Sequence, residues 1–127
     1  IISNIHQSGK GFHAYRDRDH SYSVRLSLYK AKEQPRPGSY VRLTLSADTN
    51  DVIAAEPCAA VAIDDVGSEE GEIKVTDKGF GFVNDIFVPP HLIIEGSNGQ
   101  RGKIVKLLDF DKSKNRPAWK AIALQLV

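Results

Sequence analysis

The stretch KGFGFVNDIFV, residues 78–88, decides the fold of this chain. Side chains of a β-strand alternate between two faces, so Lys78, Phe80 and Phe82 are expected on one face of a strand. Phe87 is expected beside them on the next strand, because a tight two-residue turn separates the two runs. The aliphatic residues of the opposite face then fill a core, and the aromatic rings gather on an outer face.

The same kind of pattern extends over the whole chain. Its 127 residues are enough for one ordinary domain or two very small ones. Short runs rich in Val, Ile, Tyr and Phe recur between turn residues, and no window combines helical apolar spacing with helix caps. The sequence therefore predicts an all-β protein.

An internal repeat divides the chain. The run KGF at residues 10–12 recurs at 78–80, and the run at 38–43 recurs in residue type at 102–107. Chance similarity between β-rich segments is the alternative explanation. As a duplication, each half holds five short strands, which predicts two tandem five-stranded Greek-key barrels of the oligonucleotide-binding type. The expected domains are a degenerate barrel at 1–63, an acidic linker at 64–70 and a second barrel at 71–127.

The two motifs KGFGFV and DIFV resemble the ribonucleoprotein motifs of the cold-shock domain family, and the resemblance covers most of residues 71–127. It implies an oligonucleotide-binding barrel that binds single-stranded RNA or DNA through aromatic side chains. By position it implies that Lys78, Phe80, Phe82 and Phe87 are binding residues.

The sequence departs from that family at Pro89-Pro90, where a His-Phe pair usually stands. A proline at this place is more similar to the cold-shock modules of ribonuclease R-type exoribonucleases. It is also similar to the S1/cold-shock-like modules attached to bacterial defence proteins. Both kinds of module are accessory to a catalytic domain elsewhere.

Other candidate contacts lie outside the two motifs. The basic segment 112–120 carries the only tryptophan, and we expect either that it clamps a strand with Trp119 stacking, or that Trp119 packs in the core. In the first half, Phe12 is aligned with Phe80, while small residues replace the other two rings. The further candidate nucleic-acid-binding residues are His91, Lys114, Arg116, Lys10 and Phe12.

Composition argues against other classes of protein. Cys58 is the lone cysteine, which excludes an internal disulfide and a cysteine-based zinc cage. The four histidines form no short metal-binding signature, and no glycine-rich phosphate loop precedes a helix. We therefore expect no enzyme activity, no metal and no cofactor. No segment is apolar enough to cross a membrane, and cysteine usage favours the cytoplasm.

These patterns favour binding of single-stranded nucleic acid with weak sequence preference, mainly by the second barrel. Residues 71–127 hold nine basic and six acidic residues, a mild bias of +3 that suits such a partner. One alternative is a protein-interaction or dimerisation module that uses the same aromatic face. Another is an accessory fragment of a larger nuclease or helicase, whose catalytic domain lies outside this chain.

Overall fold

The computed structural model describes residues 1–111 and 113–127, which divide into two compact units, Ile1–Asp64 and Asp65–Val127. Eleven β-strands and two short 3-10 turns form the regular structure of the described residues. The prediction of an all-β protein is confirmed. Among these residues no helix has the length and apolar character needed to cross a membrane.

The first unit is built from five strands: β1 (Ile2–Ile5), β2 (Gly11–Asp17), β3 (His20–Arg25), β4 (Val41–Leu45) and β5 (Val52–Pro57). An antiparallel sheet in the order β1-β2-β3 and a hairpin of β4 with β5 are joined at both ends. The N–H of Ile2 donates to the carbonyl of Ser39 at 2.8 Å, just before β4. Tyr29, after β3, forms a parallel bridge with Ala55 in β5. The strands thus follow one another as β1-β2-β3-β5-β4 and back to β1.

The second unit contains β6 (Val66–Glu72), β7 (Lys74–Val75), β8 (Gly81–Val83), β9 (Ile86–Val88), β10 (Arg101–Asp111) and β11 (Arg116–Leu126). They form one sheet in the order β6-β10-β11-β9-β8-β7. Only Ile73 separates β6 from β7, so the two ends of this sheet are one bent strand and the sheet closes on itself. Its strand order then matches that of the first unit. The prediction of two tandem five-stranded barrels is confirmed.

The expected acidic linker at 64–70 is corrected by the structure, because most of it is β6, which pairs antiparallel with β10. Cations on β10 pair with two of its acidic side chains. Lys106 Nζ lies 2.6 Å from a carboxylate oxygen of Glu69, and Arg101 Nε lies 3.3 Å from Glu70. The hydrogen bond from Lys106 is the main cause that holds the pKa of Glu69 below its usual value. Cross-strand ion pairs thus replace the apolar alternation that usually identifies a strand.

Each unit has its own core. The second is built on aliphatic residues from the inward faces of its strands: Ile73, Val83, Ile86, Val88, Ile104 and Ala121. The first is built on Ile2, Phe12, Ala14, Val24 and Ala55. Phe12 is therefore a core residue with no exposed surface, which corrects its expected place among the nucleic-acid-binding residues.

Candidate nucleic-acid interface

The hairpin of β8 and β9 places the phenylalanines on one outer face. Val83 pairs with Ile86 across a two-residue turn, whose residues Asn84 and Asp85 both have positive φ, 48° and 68°. Positive φ at both residues is typical of a type I′ turn, whose twist suits a two-residue hairpin. Alternation then directs the aliphatic residues into the core and leaves Phe82 and Phe87, which are direct cross-strand partners, on the outside.

Three aromatic rings meet on this outer face, and we call them the phenylalanine cluster: Phe80, Phe82 and Phe87. Their ring centroids are separated by 5.8 Å for Phe80 and Phe82, 5.5 Å for Phe80 and Phe87, and 6.3 Å for Phe82 and Phe87. These are ordinary distances for stabilising aromatic pairs. Phe87 keeps 37% of its surface exposed, so the cluster presents aromatic surface to solvent.

The glycines between these aromatics have a structural cause. A Cβ atom added at Gly81 would lie 2.7 Å from the carbonyl oxygen of Lys74 on the neighbouring β7. Gly79 has φ of +92° in the preceding turn, a conformation that side chains disfavour. Close strand approach and turn geometry therefore explain both glycines, and their presence carries no argument about binding.

Asn84 fixes the tip of the hairpin to β6. Its Nδ2 donates to the carbonyl of Glu70 at 2.8 Å and to the carboxylate of Glu69 at 3.4 Å. Gly71 on β6 makes room for it, since a Cβ at that position would collide with the Asn84 side chain. The acidic strand that sequence analysis missed thus anchors the turn between the two strands of the phenylalanine cluster.

A groove of about 670 Å³ lies beside the phenylalanine cluster. Ser113 and Lys114 after β10 and the start of β11 form its other wall, so it brings two sequence-predicted regions together. Its lining residues are Phe80, Phe82, Asp85, Ile86, Phe87, Asp109, Ser113, Lys114, Ala118, Trp119 and Lys120. Phe87 and Lys120 lie side by side, because β9 and β11 pair in parallel at these two residues.

Trp119 has two roles in this wall. It packs against the core of the second unit, one of the two alternatives expected for it, and it also lines the groove. Lys106 Nζ lies 4.5 Å from the centroid of its ring while also pairing with Glu69. The indole is therefore held in place by the core on one side and by a cation–π contact with Lys106.

The charges along the groove are mixed. Lys114 is exposed, and Lys120 Nζ lies 3.1 Å from a carboxylate oxygen of Asp109. Asp85 contributes a second carboxylate. Two lysines and two aspartates line the groove, so its described lining residues carry no net charge.

Four other predicted contact residues lie outside this lining. Lys78 is exposed in the turn before β8, and His91 is exposed on the 3-10 turn Pro90–Leu92. Arg116 is exposed at the start of β11, and Lys10 is exposed in the turn before β2. Lys112, the first residue of the basic segment, falls outside the described residues.

Sequence analysis missed Asp109 and Asp85 as members of this surface, and it included Lys120 only as the last residue of the basic segment 112–120. The parallel pairing of β9 with β11 brings Lys120 to Phe87, and no local pattern reports a parallel pairing.

The matching hairpin of the first unit has a different register from the one that the sequence alignment predicts. The N–H of His6 donates to the carbonyl of Gly11 at 2.9 Å, as that of Thr76 donates to Phe80 at 2.8 Å. Gly11 is thus the counterpart of Phe80. The turn from His6 is one residue longer than the turn from Thr76, and a shift of one residue moves every side chain to the other face. Phe12 consequently points inward.

The other candidate chemical groups of the chain are its metal-ligating side chains and its cysteine. The described part of the chain contains no group of three or more His, Cys, Asp or Glu side chains suited to hold a metal ion. Cys58 is half-buried. The surface with the most aromatic and cationic groups in one place is the groove beside the phenylalanine cluster.

The second unit matches the model of a known protein family. Residues 68–124 match the family model of S1/CSD-like domain 2 of the TOTE conflict systems. The match covers nearly all of the second unit and includes the whole phenylalanine cluster. It confirms the resemblance to S1/cold-shock-like modules of bacterial defence proteins. Neither a curated protein nor a solved structure matches this chain.

Proposed function

We propose that the second unit binds single-stranded RNA or DNA, with weak sequence preference, in the groove beside the phenylalanine cluster. The observation that carries the proposal is the meeting of three mutually contacting rings with Trp119 and two lysines on one surface. The S1/CSD-like family of this unit supports a binding or accessory role rather than a catalytic one.

Base stacking supplies the main binding energy in this proposal. Aromatic side chains contribute about 1–3 kcal/mol for each stacked base, and every base has a face that can stack. Phe87, with 37% of its surface exposed, offers the most accessible ring of the cluster. Stacking does not distinguish one base from another, nor ribose from deoxyribose, so we expect little preference for sequence or for RNA over DNA.

Lys114 and Lys120 contribute phosphate contacts, and the carboxylates of Asp85 and Asp109 oppose them. Neutralising one phosphate of a single strand lowers the logarithm of the affinity by about 0.7 for each tenfold rise in salt. By that rule, two lysines predict that the logarithm of the affinity falls by about 1 to 1.5 for each tenfold rise in salt. We call this value the salt slope. The binding we propose is weak in electrostatic terms and depends chiefly on the rings.

The test is a fluorescence-anisotropy titration of the whole chain with oligo-U, oligo-dT and duplex DNA at two salt concentrations. We expect the two single strands to bind with similar affinity and the duplex to bind more weakly. Absence of binding to every oligonucleotide at about 50 mM salt, where phosphate contacts are strong, would overturn the proposal. Self-association through Phe87, measured by sedimentation, would instead favour the protein-interaction alternative.

A further inference from the structure

The first unit carries a pair of imidazole rings where the second carries phenylalanines. His13 pairs with Ser23 across β2 and β3, at the register position that Phe82 and Phe87 occupy in β8 and β9. Both pairs lie one residue from an inward-facing valine, Val24 in the first unit and Val88 in the second. His13 is therefore the counterpart of Phe82, and it is half-buried rather than enclosed.

His6 lies beside Gly11, the counterpart of Phe80. A Cβ added to Gly11 would collide with the carbonyl oxygen of Val24 and lie 3.1 Å from Nδ1 of His6, so the close approach of β3 requires glycine at this position. The His6 ring, and not a side chain at position 11, therefore lies next to His13 on this face. The centroids of the His6 and His13 rings are 4.4 Å apart at an interplanar angle of 67°, an edge-to-face contact.

Polar and cationic groups surround this imidazole pair on each neighbouring element. Ser23 Oγ on β3 lies 3.4 Å from Nε2 of His6. Arg25 follows two residues later on the same outer face, since Val24 between them is buried, and it is exposed. Lys10 is exposed in the turn before β2, and the neutral Asn4 stands opposite His13 on β1. The fixed charges on these neighbouring positions, Lys10 and Arg25, are positive.

We propose that His6, His13 and Arg25 form a second contact site for single-stranded nucleic acid on the first unit, with an affinity that rises as pH falls. The imidazole rings stack against a base, and Arg25 together with protonated imidazole binds the adjacent phosphate. This site rests on the proposed function of the second unit, because it extends the same mode of binding to the matching face of the first.

The direction of the pH dependence follows from linkage. Burial, and secondly the charge of the neighbouring His6, hold the pKa of His13 below its usual value. A bound phosphate stabilises the protonated ring, so the pKa in the complex is higher than in the free protein. The added affinity is then fully present below the pKa of the free protein, and it is lost as pH rises through the pKa of the complex. Neutral rings retain their capacity to stack.

The experiment measures the affinity of the whole chain for oligo-dT of about 10 nucleotides, within the range of a single barrel's site size. It compares about pH 8 with about pH 6, which spans the usual histidine pKa. Four proteins are compared: the unaltered chain, the double variant His6→Ala with His13→Ala, the variant Phe82→Ala, and His20→Gln as the control. His20 pairs with Asp17 away from the imidazole pair, so its variant tests whether any histidine has the same effect.

We expect the affinity of the unaltered chain to rise about three- to tenfold between the higher and lower pH, as one or two charge-assisted contacts form. The same rise is expected in His20→Gln and in Phe82→Ala, whose affinity is lower at both pH values. The double histidine variant should lose the rise and keep the binding that depends on Phe82. In the unaltered chain, the NMR signals of His13 should titrate at higher pH when oligo-dT is bound.

Three results would overturn the second site, and they separate it from the first. Binding that falls in Phe82→Ala but is unaffected by the histidine changes and by pH would remove the second site and leave the proposed function intact. Absence of single-strand binding in the unaltered chain at either pH would remove the proposed function, and the second site with it. An equal loss of the pH effect in His20→Gln would assign it to general protein charge.

Discussion

Phe82 and Phe87 are direct cross-strand partners on the outer face of the second unit, with ring centroids 6.3 Å apart. Their counterparts in the first unit, His13 and Ser23, are cross-strand partners in the same way. The two barrels thus keep one scaffold and differ in what they present on one face. On the second unit that face is aromatic and apolar, and on the first it is polar and titratable.

Removing one ring of the phenylalanine cluster should weaken binding and leave the fold intact. We expect Phe82→Ala and Phe87→Ala each to reduce the affinity for oligo-dT by about 1–3 kcal/mol, the usual contribution of one stacked base. The rings lie outside the core, so the free energy of unfolding should fall by less than the roughly 3–5 kcal/mol of a core phenylalanine truncation. Anisotropy and denaturant unfolding measure the two quantities.

Ile94→Ala is the matched control for Phe87→Ala. Ile94 and Phe87 are equally exposed, at 37% of their surface, and Ile94 does not line the groove. Ile94→Ala should therefore leave the affinity for oligo-dT unchanged, whereas Phe87→Ala should reduce it. Equal effects at both positions would mean that the phenylalanine cluster has no special role.

Asp109 should act as a competitor for the phosphate that Lys120 binds. Its carboxylate lies 3.1 Å from Lys120 Nζ, and both side chains are exposed. Asp109→Asn should raise the affinity for single strands by a factor of up to about five, since an exposed ion pair is worth at most about 1 kcal/mol. The salt slope should stay at about 1 to 1.5, because Lys120 is already one of the two lysines that contact phosphate. Glu95→Gln, the same change of charge outside the groove, should alter neither quantity.

The outer face of the second unit was predictable from the sequence because it depends on local alternation. Phe82 and Phe87 lie on strands joined by a two-residue turn, so residue spacing alone fixes their common face. The groove beside them was not predictable in the same way. Its second wall is brought to Phe87 by the parallel pairing with Lys120, which joins residues far apart in the chain.

Two errors of the sequence analysis have physical causes. β6 was missed because Glu69 and Glu70 are neutralised by cations on β10, and such pairing leaves no apolar alternation in the strand itself. Phe12 was placed on the wrong face because the turn before β2 is one residue longer than its counterpart. An alignment of motifs cannot detect that difference when both copies contain the same three residues, KGF.

Gly81 should tolerate no side chain. A Cβ atom at this position would lie 2.7 Å from the carbonyl oxygen of Lys74, a backbone atom of the neighbouring strand that cannot move freely. Gly81→Ala should destabilise the second unit by about 1–3 kcal/mol, the usual cost of overpacking. Gly67→Ala is the control, because its nearest neighbour is a side-chain atom of Lys106 at 3.2 Å and not a backbone atom. Equal stability of the two variants in denaturant unfolding would contradict the close approach.

The ion pair between Glu69 and Lys106 should make the second unit sensitive to acid. The pKa of Glu69 is lowered in the folded protein, chiefly by the hydrogen bond from Lys106. The stability that this carboxylate contributes is therefore present above its ordinary pKa and is lost as pH falls through the lowered value. Glu69→Gln should flatten the fall of unfolding free energy below about pH 4.5, the ordinary value for glutamate. An unchanged pH profile in this variant would show that the ion pair does not contribute.

Asn84 should support both the stability of the hairpin and the position of the phenylalanine cluster. Asn84→Gly removes its hydrogen bonds to Glu70 and Glu69 but suits its φ of 48°, so it should cost about 0.5–1.5 kcal/mol. Asn84→Ala removes the same bonds and adds the left-handed strain of a side chain, about 1 kcal/mol more. Denaturant unfolding measures both costs.

The two variants also separate anchoring from strain. If the bond from Asn84 to the carbonyl of Glu70 holds the turn between Phe82 and Phe87 against β6, both variants should weaken oligo-dT binding by a similar factor despite their different stabilities. The binding loss would then follow the missing hydrogen bonds, which the variants share, and not the backbone strain, which they do not. Binding that instead decreases in proportion to stability, with Asn84→Ala much weaker than Asn84→Gly, would show that the turn conformation positions the rings and that the anchor to β6 does not.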